Sequence, residues 1–178
     1  MYKKIIFLFI LLLNFTSCKQ KKEFEKYDKN GNPIVYNEEE YFKIWTKDKN
    51  IKVTIIDTFC INQKKRALKD IQKDDLIYFR PDFLEYNILS NKLKKYGIKT
   101  KGFHRSCLRF GEFEPYCYQD EMYNEICKRF GENFLDSLTQ EAKKEFVIKN
   151  PKQRYIEDGI DLREKYLKEI KSKNIPNK

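Results

Sequence analysis

The residues best able to do chemistry gather in one short stretch, His104-Arg105-Ser106-Cys107, with Arg109 just beyond it and Tyr116, Cys117 and Tyr118 soon after. His104 is the only imidazole in the chain, so histidine-based catalysis has a single candidate and a His-rich metal site has none. On an extended segment Arg105, Cys107 and Arg109 share one face, while His104 points to the other. Arginines so placed would bind an anion or a partner; the plainer alternative is a strand edge guarded by charge. Cys107 beside Ser106 and His104 could also be a thiol nucleophile near a base. With Cys117 close by, a structural disulfide is the stronger reading. Tyr116 and Tyr118 flank Cys117, and tyrosines on a stiffened loop make good interface anchors because they bring area at little entropic cost. Packing in the core is their competing role. No Gly-x-Ser-x-Gly elbow surrounds Ser90, Ser106 or Ser137, and the six glycines form no phosphate-binding loop. The patterns point to no enzyme, no metal and no cofactor.

The N-terminus indicates the compartment. Lys3 and Lys4 precede Ile5 to Leu13, an apolar run as long as a signal-peptide core and short of the roughly 20 residues a spanning helix needs. Phe15-Thr16-Ser17-Cys18 follows. This segment resembles a bacterial lipoprotein signal with its lipobox, with Phe15 standing where the family usually places Leu. The resemblance implies diacylglycerol on the Cys18 thiol, cleavage before it and acylation of the new amino group. Residues 1–17 are then the signal peptide, 18–25 a tether, 26–171 a single domain and 172–178 a polar tail. Lys19-Gln20-Lys21-Lys22 places no Asp after Cys18, which by the same resemblance implies the outer membrane, facing the periplasm. The absence of an acidic stretch there argues against display on the cell surface. Cleavage leaves 178 − 17 = 161 residues and, without Lys3 and Lys4, takes the formal charge from +10 to +8.

With Cys18 lipidated, Cys60, Cys107, Cys117 and Cys127 remain, an even number in an oxidising compartment. Cys117 and Cys127 lie about 15 Å apart along one expected helix, beyond the roughly 7 Å a bridge allows between Cα atoms. Cys107 and Cys117 enclose a short loop with Gly111 and Pro115 that closes easily, for about 2 to 3 kcal/mol. Cys60 and Cys127 then pair with each other or stay as buried thiols. No CxxC occurs, so thioredoxin-like chemistry and zinc ribbons are unsupported.

The 37 Lys and Arg against 27 Asp and Glu invite a nucleic-acid reading. Lysines outnumber arginines 30 to 7 and acidic residues are interspersed, whereas bidentate phosphate and base contacts favour arginine. No nucleic-acid motif appears. Solvated helix faces, with attraction to anionic head groups near the anchor, account for the base. A mean hydropathy of −0.77 excludes a polytopic membrane protein, and 15% aromatic residues argue for a packed core.

The elements that must position these residues follow from periodicity. Asn30-Gly31 sits between extended segments and reads as a hairpin turn; Asp28, Asn30 and Asn32 suggest a calcium loop only superficially. Asn37 with Glu40 opens a short helix carrying Tyr41, Phe42 and Trp45. A strand spans 51–59, and a helix over 61–73 carries Ile61, Leu68 and Ile71 on one face. A buried strand at 76–79 is closed by Pro81. Asp82 caps a helix to Tyr96 with Leu84, Ile88, Leu89 and Leu93 inward, stopped by Gly97. Residues 98–110 are extended. Helices follow over 115–130, with Met122, Tyr123, Ile126, Cys127 and Phe130 on one face, and over 133–150, capped by Asn133. A last helix runs over 162–170. The stretch from Cys107 to Phe146 is similar to small bacterial lipoproteins and brings no activity with it. The fold class is α+β: a small sheet of short strands packed by helices, with a helical C-terminal third and a disulfide. The function expected is a non-enzymatic protein-binding module of inhibitor, immunity or accessory type, with an envelope protein as partner. The alternative is a binder of small ligands or anionic envelope polymers through the residues around Arg105 and Arg109.

Overall fold

A computed structural model describes residues 24–81, 83–103 and 109–173. The lipobox with Cys18, the 104–108 stretch with His104, Arg105 and Cys107, the expected cap Asp82, and residues 174–178 lie outside the described residues. The fold is α+β. Among the described residues, no helix is long and apolar enough to cross a membrane.

Two compact units divide the chain. In the first, residues 24–34 and 52–54 are held by one carboxylate. Asp28 accepts from the backbone N–H of Asn30 and of Asn32 (2.8 Å each), from the Asn32 amide (3.0 Å) and from the Thr54 hydroxyl (2.6 Å). These donors, Thr54 first, hold the Asp28 carboxyl down at about 2. The expected hairpin forms around Gly31 at φ +81°, with Tyr27 bridging Pro33. An Asx-type turn, with all four donors on Asp28, explains these residues without a cation.

The second unit holds residues 35–51 and 55–178. Strands β1 (Ile34–Val35) and β2 (Thr54–Ile55) are the short passages where the chain crosses between units. Helix α1 (Glu38–Trp45) starts as expected, with the Asn37 side chain accepting from Glu40 N–H at 2.9 Å. Helix α2 (Thr58–Ile71) is capped by Asp57, which accepts from Cys60 N–H. Its inward stripe is Cys60, Ala67 and Ile71, positions 7 and 11 apart that coincide at 100° per residue. Ile61 and Leu68, expected on the buried face, are one step out of register and exposed.

Strand β3 (Leu76–Arg80), helix α3 (Tyr86–Lys94) and strand β4 (Ile98–Gly102) form a βαβ unit, with β3 and β4 parallel and Leu76 opposite Ile98. Glu85 occupies the cap position of α3, and Leu84, expected inward, precedes the helix and is half exposed. Helix α4 (Cys117–Phe130) packs across β3 and against α2, and α5 (Phe134–Lys149) packs against α3. The core runs between them: Leu76, Leu89, Leu93, Ile98, Met122, Ile126 and Leu135. Asn133 precedes α5, but its side chain makes no capping bond. A hairpin of β5 (Ile156–Glu157) and β6 (Ile160–Asp161) turns on Asp158-Gly159, both at positive φ. Helix α6 (Leu162–Lys173) follows, its Tyr166 packed with Phe146, Val147 and Tyr155.

Candidate functional site

Because β3 and β4 are parallel, both deliver their carboxyl ends to one edge, the place where open α/β units take ligands. Pro81 ends β3, and the last ladder bond runs from Phe103 N–H to the Arg80 carbonyl at 3.0 Å. A two-lobed cleft opens there, with the N-terminal turns of α4 as its far wall. One lobe, about 390 Å³, is lined by Tyr78, Phe79, Arg80, Phe83, Tyr116 and Tyr123, with Asp120 at its rim. The other, about 430 Å³, is lined by Arg66, Asp70, Lys101 and Tyr118. Phe79, Phe103 and Gln119 line both. The aromatic walls are fixed edge to face. Phe103 meets Tyr116 at 5.0 Å and Phe79 at 6.4 Å, while Phe79 meets Tyr118 at 5.7 Å.

The first lobe is braced from below. The Arg80 guanidinium bonds the Glu85 carboxylate and the Thr139 hydroxyl, at 2.8 Å each. The other oxygen of Glu85 accepts from the Tyr155 hydroxyl at 2.5 Å. Glu85 is 0% exposed, so its charge depends on these partners. Burial, then the bond to Glu85, pushes the Tyr155 hydroxyl far above the usual phenol range, keeping it a donor. Above this brace, Arg80 stacks on the Phe83 ring at 4.9 Å. Phe83 (51% exposed), Leu84 (50%) and Ile156 (51%) then form an apolar ridge around a small cavity of about 90 Å³ over Tyr155.

The second lobe is basic. Arg66 lies over the Tyr118 ring at 4.3 Å, and the Tyr118 hydroxyl donates to Asp70 at 2.9 Å. Burial and that bond raise the hydroxyl to about 12. In the first lobe, burial and the nearby Glu114 raise the Asp120 carboxyl.

The residues singled out in the sequence divide between places. Tyr116 lines the cleft. Tyr118 is buried, and its ring and hydroxyl serve as the floor of the basic lobe instead of as an exposed anchor. Arg109 is engaged within the fold: its guanidinium bonds Glu38, Asp57 and the Glu114 carbonyl, at 3.1 Å each, between the rings of Phe59 and Phe113. Its charge is matched by two carboxylates. Cys117 pairs with Cys60, Cα to Cα 5.3 Å, and not with Cys107. The same clamp explains this partner. Asp57, three residues before Cys60, accepts from the N–H of Glu114, three residues before Cys117, which brings the two helix starts together. Cys127 is a half-buried free thiol, and its closeness to the Tyr123 hydroxyl raises that phenol.

The sequence patterns do not single out Phe79, Arg80, Phe83, Phe103, Arg66 or Lys101, which line the two lobes. The available signal was an aromatic-Arg-Pro run closing a buried strand, followed two residues later by Phe83. Among the described residues, no group of three or more His, Cys, Asp or Glu gathers as metal ligands. No family model, curated protein or solved structure matches the chain.

Proposed function

We propose that this protein is a lipid-anchored, non-enzymatic module of the bacterial cell envelope that docks an extended segment of a partner protein along the aromatic cleft and its ridge. The observation that carries this reading is Phe83. Half of its surface faces solvent, yet an arginine fixed by a buried carboxylate holds the ring from behind. Rigid exposed aromatics beside an ordered arginine are the groups that dominate protein interfaces, because little entropy remains to be lost on binding. The lining groups stack and ion-pair, which suits recognition. The anchor rests on the resemblance of residues 1–18 to a lipoprotein signal, and with it the placement on the periplasmic face of the outer membrane.

Two experiments test this. A photo-crosslinking phenylalanine analogue placed at Phe83 in cells should give a discrete protein adduct. The same analogue at Ile148, equally exposed on α5, should not. Equal labelling at both, or none at Phe83, overturns the docking reading. For the anchor, wild type should fractionate with the outer membrane, carry acyl mass and lack residues 1–17. Full-length mass, or fractionation unchanged in Cys18→Ala, overturns the lipid attachment.

A further inference from the structure

Six arginines lie among the described residues, and five sit against a carboxylate: Arg80 on Glu85, Arg109 on Glu38 and Asp57, Arg129 on Asp74 and Glu125, and both Arg154 and Arg163 on Asp161. Arg66 has no carboxylate partner among the described residues. It is nonetheless placed, lying flat over a tyrosine whose hydroxyl is tied to Asp70. Lys101, likewise without a described carboxylate partner, lines the same lobe from the end of β4. Asp70 is the carboxylate of this lobe, and its Oδ2 accepts from Tyr118. Two cations thus line one cavity of about 430 Å³, which shares Phe79, Phe103 and Gln119 with the neighbouring aromatic lobe. The opposite lobe carries the acid Asp120 at its rim, so charge is graded along the cleft.

We infer that the basic lobe is a carboxylate subsite, and that the docked segment is an acidic peptide presenting a Glu or Asp side chain to Arg66 and Lys101 next to an aromatic or aliphatic residue in the Phe83 lobe. This deepens the docking reading and rests on it. A guanidinium prepositioned by stacking gives up little freedom when it grips a carboxylate in its planar fork. Arg66 and Lys101 are both exposed, so a carboxylate reaches them from solvent without displacing any part of the fold. The aromatic lobe supplies area, and the basic lobe supplies polarity and direction along the cleft. The graded charge opposes the reversed orientation, which would set a carboxylate against Asp120.

The test is fluorescence anisotropy of the purified chain, residues 19–178, with a labelled pentapeptide alternating glutamate and phenylalanine. Its glutamine analogue serves as control. The acidic peptide should bind at least about tenfold more tightly than the analogue, and the difference should shrink as salt screens the charges. Arg66→Gln and Lys101→Gln should each reduce that preference, and Phe83→Ser should weaken both peptides alike. Equal binding of the two peptides, or a preference untouched by Arg66→Gln and Lys101→Gln, overturns the carboxylate subsite while leaving Phe83 as a docking anchor. Failure of both peptides to bind overturns the acidic-peptide inference, and the crosslink at Phe83 then decides the docking reading on its own. Capture of phosphatidylglycerol vesicles through Arg66 and Lys101, without peptide binding, would assign the lobe to a membrane surface and likewise overturn the inference.

Discussion

Two arginine clamps organise the second unit, and they are secured differently. Arg109 sits between Phe59 and Phe113 and binds Glu38 and Asp57, both of which retain some solvent contact, and the nearby helix starts are joined covalently by Cys60–Cys117. Arg80 stacks on Phe83 and binds Glu85, which retains none and takes the Tyr155 hydroxyl as its second donor. A clamp with partly wet acids can lose a partner and let water replace it. A clamp built on a dry acid cannot. The difference assigns structural roles: the first clamp fastens the starts of two helices, and the second fixes Phe83 beside the cleft.

The comparison breaks most readily at Glu85. Glu85→Ala leaves Arg80 and Tyr155 without their shared partner and should cost about 3 to 5 kcal/mol in chemical denaturation. The triple change Arg80→Met, Glu85→Leu, Tyr155→Phe should recover most of that, since apolar replacements remove the stranded groups together. A single-variant loss under about 1 kcal/mol would show that water reaches Arg80. Next in size is the bridge. Cys60→Ala with Cys117→Ala should cost about 2 to 4 kcal/mol and abolish the effect of reductant on the melting temperature. Reductant sensitivity that persists would mean another cysteine pair matters. A smaller step separates two helix starts. Asp57→Ala should lose about 1 kcal/mol or more as a cap is removed, while Asn133→Ala, which makes no capping bond, should lie near zero. Equal losses would contradict the cap geometry.

The smallest effect belongs to the first unit. The Asp28 carboxyl is depressed to about 2, so its contribution is present above the ordinary carboxylate value near 3.8 and is lost as pH falls towards 2. NMR titration should show this midpoint, and Thr54→Val should move it upward. A midpoint already near 3.8 in the wild type would remove Asp28 from the turn.

Where the sequence speaks locally, it is legible. Asn30-Gly31, the Asn37 cap, the stop at Gly97 and the helices on either side of Gly131 all stand where their turn and cap chemistry indicates. The errors are long-range. Nothing in the spacing of Cys60 reveals that Asp57 and Arg109 draw it to Cys117, so the easily closed loop to Cys107 looked better than a partner 57 residues away. The face of α2 was misjudged because Ala67, the residue that lets α4 approach closely, is less conspicuous than Leu68. The hairpin at Asp158-Gly159 is signalled by its turn residues alone. The cleft was the least legible part. Its aromatics come from β3, the loop after it, the end of β4 and the start of α4, and only the parallel pairing assembles them.

The shared carboxylate of Glu85 has one more consequence. The ridge is assembled from two distant stretches, Phe83-Leu84 and Ile156, and that acid binds both neighbourhoods, through Arg80 on one side and Tyr155 on the other. In a saturation library the ridge positions should therefore accept most hydrophobic residues without loss of folding, while Glu85 should refuse even aspartate, whose shorter reach cannot span both donors. On the proposed docking reading, recognition can be rewritten one surface residue at a time while the frame stays fixed, so the cleft changes its partner more quickly than its shape.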